Sequence, residues 1–169
     1  MVFLAYHSFY YPTSFIFKGF YDRIWNMAKE TIIISLGGSL VAPGEIDVGF
    51  LKNFRHCLQK YLGKKRFFIF VGGGKVARLY QKVLLEFGAD DSERDWIGIN
   101  ISRLNAEIVK QVFIKDSYLK VITDPTKKIN TRKDILIAAG WKPGWSTDYC
   151  SVIMAKNSGL KIILNLTNI

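Results

Sequence analysis

Short runs of consecutive apolar residues alternate along this chain with longer stretches in which apolar residues recur every three or four positions. The first kind reads as strand buried on both faces, the second as amphipathic helix. Thr31–Leu36 (TIIISL) and 67–71 (FFIFV) are strands of this kind, each running straight into glycines. Between them Phe50, Leu51, Phe54, Leu58, Tyr61 and Leu62 predict a helix that stops at Gly63. Val76, Tyr80, Val83, Leu84 and Phe87 predict a second helix ended by Gly88, and Ile97, Ile101, Leu104, Ile108 and Val112 a third. The pattern adds strands over 119–123, 135–139 and 161–166 and a helix over 148–157. Such alternation specifies an α/β domain of three layers, α/β/α, with a largely parallel sheet covered on both faces. As the last strand of the chain, 161–166 is expected to leave an apolar edge unpaired.

The first 26 residues do not follow this pattern. They carry ten aromatics, from Phe3 to Trp25, without helical or alternating period. Pro12, Lys18, Asp22 and Arg23 interrupt them, so the segment reads poorly as a signal peptide and holds no apolar window long enough for a membrane-spanning helix. We read 1–26 as an extension that need not belong to the natural protein, with Met27 as the natural start. An aromatic arm that docks on a partner or a membrane interface is the other reading.

In a parallel sheet the working loops lie beyond the carboxyl ends of the strands. Gly37-Gly38-Ser39 follows the first strand, Gly72-Gly73-Gly74-Lys75 the second, and 140–148 the strand at 135–139. Glycine exposes backbone N–H groups, so each loop is able to cradle phosphate oxygens. Neither the Walker A spacing nor the dinucleotide fingerprint is present, which argues against a P-loop enzyme and a Rossmann dehydrogenase.

At 169 residues the chain has room for one domain, and its net charge of +10 favours an anionic partner without naming it. The basic residues are scattered, as on a solvated surface, and no aromatic-basic strand pattern points to RNA. Neither a nucleic acid nor a membrane is therefore expected as a partner. Cys57 and Cys150 signal neither a disulfide framework nor a metal pair, and His7 and His56 have no partner at ligand spacing, so no protein-held metal is expected. A reducing cytoplasm fits best.

Six segments together resemble the archaeal-type UMP kinases of the amino acid kinase family. They are ISLGGSL from Ile34, VGGGKVAR from Val71, DWIGI from Asp95, RLNA from Arg103, PGWSTD from Pro143 and NLTN from Asn165. The resemblance runs from about Thr31 to the last residue. It implies a carbamate kinase-like fold and phosphoryl transfer from ATP, with Mg2+, to UMP in pyrimidine nucleotide biosynthesis. It also implies a cytoplasmic homo-oligomer, a hexamer, without a tightly bound cofactor.

Carried over residue by residue, the resemblance puts Gly37, Gly38, Ser39, Gly74, Arg78 and Thr167 against ATP, with Lys75 and Arg78 as catalytic cations. It puts Gly73, Asp95, Arg103 and the loop of Trp141, Lys142, Pro143, Gly144, Trp145, Ser146 and Thr147 against UMP. On position alone, Arg78 is equally a helix-surface arginine, Asp95 a helix cap, Arg103 a salt-bridge partner, and Trp141 and Trp145 rim or core aromatics. Asn105 packs its helix against the glycine loops, and Asp148 opens a helix.

Three departures stand out. Ser35 occupies a position where many amino acid kinases have lysine, and Cys150 one where acidic or small residues are usual. The family's Asp-x-Val-Tyr segment and adenosine-enclosing lobe do not follow Asn168, so the domain is expected to be incomplete at its C-terminus and this stretch inactive alone. A sister kinase with another small acceptor and a non-catalytic nucleotide-binding protein of the same fold are the alternative readings.

Overall fold

The computed structural model describes residues 31–168 and, for its backbone, the strand β1 (Val2–His7). The expected natural start at Met27 lies outside the described residues. Four further strands, β2 (Thr31–Leu36), β3 (Arg66–Val71), β4 (Ile135–Ala138) and β5 (Ile162–Thr167), join β1 in one sheet of order β1-β5-β2-β3-β4. Every pairing is parallel. Among the described residues five helices accompany the strands: α1 (Gly38–Val41), α2 (Val48–Gln59), α3 (Gly74–Glu86), α4 (Asp91–Val112) and α5 (Thr147–Asn157).

Successive strand residues point to opposite faces, and both faces are dry. Ile32, Ile34 and Leu36 of β2 pack with Phe67 and Ile69 of β3 under Leu51, Phe54 and Leu58 of α2 and Ala106 and Val109 of α4. On the other side Ile33, Phe68 and Phe70 pack with Leu136 of β4 under Cys150, Met154 and Ala155 of α5. Burying each large aliphatic side chain contributes about 1.5–3 kcal/mol, which is why the strands read as unbroken apolar runs.

The helices begin where their caps place them. Asp47 accepts the Phe50 N–H at 2.8 Å to open α2. At α4 the Asp90 side chain takes the Glu93 N–H while the Glu93 carboxylate takes the Asp90 N–H, a complete capping box. Asp95 therefore lies inside α4 and is not its cap. Ser146 accepts the Tyr149 N–H at 3.0 Å, so α5 starts at Thr147 and Asp148 sits in its first turn, as expected.

Three expectations need correction. Residues 119–123 form no strand: only Ser117 and Ile122 bridge to β4, at Ile135 and Ala138. Leu119, between them, is exposed, so this segment tracks the sheet margin and buries only its end, Val121 and Ile122. The edge beside β5 is not open either, because β1 pairs with it from Val2↔Ile162 to His7↔Thr167. Finally, the apolar stripe of α4 is only part of the side it buries: Ile108 and Val112 pack against the core, but the most buried positions lie beside the stripe. Leu104 is exposed, while Ile99, Ser102, Asn105, Ala106 and Val109 face inward.

Candidate functional site

The site lies beyond the carboxyl ends of β2, β3, β4 and β5, where four loops meet. Its centre is a backbone-to-backbone contact. A Cβ at Gly38 would fall far inside van der Waals distance of the Gly72 carbonyl and the Gly74 N–H, and one at Gly74, whose φ is +69°, would lie 2.7 Å from the Gly38 oxygen. Only glycine lets the two loops approach this closely. Their N–H groups are anchored to the sheet and their carbonyls to α4: Gly72 N–H donates to Leu36 O at 2.9 Å, Gly37 N–H to Leu166 O at 2.7 Å. The buried Asn105 amide donates to Gly72 O at 2.9 Å and Gly73 O at 3.3 Å. Asn105 thus packs its helix against the glycine loops as the pattern suggested.

Of the residues expected against ATP, Gly37, Gly38, Ser39 and Gly74 come together here. Thr167 joins them, its Oγ1 being 3.2 Å from where a Gly37 Cβ would stand. Asn168 closes the cluster by donating from Nδ2 to Ser39 O at 3.4 Å. Lys75, on the first turn of α3, is exposed. Ser35, the departure inside β2, is buried and its hydroxyl donates to the Asp148 carboxylate, tying the strand to the start of α5.

Beside this cluster runs a groove. Its walls are Gly73, Gly74, Ala77, Arg78 and Gln81 from the β3–α3 side, and Asp95, Gly98, Ile99 and Ser102 from α4. Gly140 and residues Gly144 to Thr147 close the third side. Arg78 therefore borders the same groove as Gly73 and Asp95. Trp141, Lys142 and Pro143 do not line it. They form its outer shoulder, where the Lys142 ammonium lies 4.3 Å from the Trp141 ring centroid and 4.8 Å from that of Trp145. Trp145 also meets Tyr149 edge to face, at 4.5 Å between centroids.

Two expected acceptor-side residues have partners within the protein. Asp95 Oδ2 accepts the Gly144 N–H at 2.7 Å. Arg103 donates to Gly140 O at 3.3 Å and Trp141 O at 3.1 Å, with its guanidinium 5.8 Å from the Trp96 ring centroid. Ser102, which sequence reasoning missed, is almost wholly buried: it donates to Val71 O at 2.7 Å and accepts the Gly140 N–H at 2.8 Å. Gly98, Ser102 and Asn105 are small or polar at helical spacing beside the apolar stripe, a signal that was open to view. Gln81 gave no such signal; its amide donates to Arg94 O at 3.1 Å and packs α3 onto α4.

Burial pushes the Cys150 thiol upward, which with its full burial makes Cys150 a packing residue. No group of three or more metal-ligating side chains occurs among the described residues, and no helix there is long and apolar enough to cross a membrane.

Comparison with known proteins agrees with this geometry. The sequence profile of the Amino acid kinase family matches residues 30–169. The uridylate kinase of Methanospirillum hungatei is 34% identical over 139 residues, covering 81% of this chain and 58% of that protein. The uridylate kinase of Pyrococcus abyssi is 33% identical over 141 residues, covering 82% and 62%. Among solved structures, the uridylate kinase of Archaeoglobus fulgidus superposes with a TM-score of 0.72 at 29% identity, over 85% of this chain and 64% of that one. The UMP kinase of Ureaplasma parvum, at 19% identity and TM-score 0.65, shares the fold. The chain thus spans about three fifths of the length of the curated relatives it matches. With the family profile matched from the first strand of the core to the end, this chain belongs to the amino acid kinase family.

Proposed function

We propose that the protein is a UMP kinase acting in the cytoplasm, transferring the γ-phosphoryl group of ATP to UMP. The observation that carries this reading is the contact of two glycine loops at the head of a groove that ends in Asp95 and the 144–147 loop. Bare N–H groups suit phosphates at one end, and a carboxylate with fixed backbone groups suits a nucleoside at the other. An oxygen of the UMP phosphate attacks the γ-phosphorus, the bond to the β–γ bridging oxygen breaks, and ADP leaves. Magnesium arrives with ATP as part of the donor substrate.

In this reading Gly37, Gly38, Ser39, Gly74 and Thr167 hold the ATP phosphates. Arg78 adds to that ATP cluster and Gly73 lies against the UMP phosphate, so that Arg78, with Lys75, neutralises charge where the two phosphates meet. Asp95 accepts from ribose through the oxygen not used by Gly144, and Trp145, Ser146 and Thr147 read the base. A homo-oligomer, a hexamer as the resemblance implies, accounts for the exposed apolar side of α3. Calorimetric titration of this chain with UMP, CMP and AMP tests the acceptor. A site built from fixed polar groups leaves them unpaired with the wrong base, so UMP is expected to bind at least about tenfold tighter. Equal affinities for the three would overturn the assignment. On the complete protein, UDP formation from ATP and UMP is the matching assay.

A further inference from the structure

The loop from Gly140 to Ser146 is neither helix nor strand, yet α4 holds it at its entry and at its tip. At the entry, Ser102 accepts the Gly140 N–H while Arg103 donates to the Gly140 and Trp141 carbonyls. At the tip, Asp95 accepts the Gly144 N–H. Residues 95, 102 and 103 are seven and eight apart, so they project from one side of a single helix toward one loop. Gly144 has φ +78°, which turns its N–H toward α4 at the crest of a turn closed by Trp145 N–H donating to Lys142 O at 3.3 Å. The outer side of the loop is covered by its own Lys142 lying across Trp141 and Trp145.

We propose that Arg103 and Asp95 are positioning residues that preform the base-side loop, and that Arg103 acts through Gly140 and Trp141 without touching the acceptor phosphate. Its guanidinium is already engaged by two carbonyls and the face of Trp96, and Arg78 is the arginine that borders the groove next to Gly73. Holding the loop before the ligand arrives removes the ordering cost from binding. Asp95 adds a coupling: with Oδ2 committed to the loop, its other oxygen is the one left for a ligand, so a ligand bound there rests on the same carboxylate that fixes the loop tip. The proposal deepens the UMP-site reading and rests on it for its binding arm only.

The test compares UMP with uridine, which lacks the phosphate, on wild type, Arg103→Ala and Arg103→Lys by calorimetry. A positioning role lowers affinity for both ligands by the same factor, about tenfold for two lost charge-assisted bonds, and lysine does not rescue it because one ammonium cannot span both carbonyls. Loss of UMP affinity with uridine binding unchanged would make Arg103 a phosphate ligand and overturn the proposal. The second arm needs no ligand: amide exchange at Gly144, followed by NMR on the full chain. Asp95→Ala is expected to speed it markedly, while Asp95→Asn, which keeps an acceptor oxygen, retains the protection. If wild type binds neither ligand, the UMP reading fails, and the exchange rates still decide the brace. Unchanged Gly144 exchange in Asp95→Ala refutes it.

Discussion

A Cβ at Gly38 would strike backbone atoms of Gly72 and Gly74, and backbone tied to a sheet cannot step aside as a flexible side chain does. Gly38→Ala is therefore expected to push the two glycine loops apart, costing about 1–3 kcal/mol of stability. Urea unfolding measures the loss, and nucleotide titration should find the phosphate end of the groove lost with it. By contrast Gly44, with nothing within 4 Å of its Cβ, makes the control substitution. At this scale the glycine residues were legible in the sequence because their doublets and triplets interrupt apolar strands. The partners of Asp95 and Arg103 were not. A carboxylate and a guanidinium advertise their chemistry but not whether a ligand or a carbonyl 37 or 38 residues away receives it.

Among the elements, α4 does most to assemble the site, and its own start is set by the Asp90–Glu93 capping box. Asp90→Ala removes an acceptor for an otherwise unsatisfied N–H, and the expected cost is about 0.5–2 kcal/mol in thermal or urea unfolding. Because Asp95 lies within the first two turns, fraying there should also loosen the Gly144 amide. A variant as stable as wild type would show that tertiary packing alone fixes the helix start. Helix existence followed from the Ile97, Ile101, Leu104, Ile108, Val112 stripe, whose Ile108 and Val112 do pack on the core, but the polar part of the buried side did not. In α4 the sheet-facing side carries Ser102 and Asn105, since the glycine loops demand hydrogen-bond partners there more than apolar area. The segment 119–123 failed for the opposite reason: apolar composition suggested a strand, but it has β4 on one side only and keeps Leu119 in solvent.

At the scale of the molecule, the largest group of exposed apolar side chains among the described residues lies on and just after α3. Leu79, Tyr80, Val83 and Phe87 are exposed, Phe87 at 84%, and Ala77 is the only residue of the helix that is buried. Against the homo-oligomer proposed above, a second copy is the expected cover. Tyr80→Lys with Val83→Lys should convert the oligomer to monomers in sedimentation velocity without changing the circular dichroism spectrum. A monomeric wild type would remove the premise. What the sequence by itself determined is the alternation of strand and helix, the parallel three-layer class and the glycine positions, because hydrophobic period and backbone freedom are local properties of a chain. What only the tertiary structure decided is pairing at a distance. It placed β1 along β5, set Arg78 beside Gly73 and Asp95, and turned Asp95 and Arg103 toward the loop after β4. Each of these depends on groups far apart in the chain meeting at a particular angle, and no local pattern of residues carries that angle.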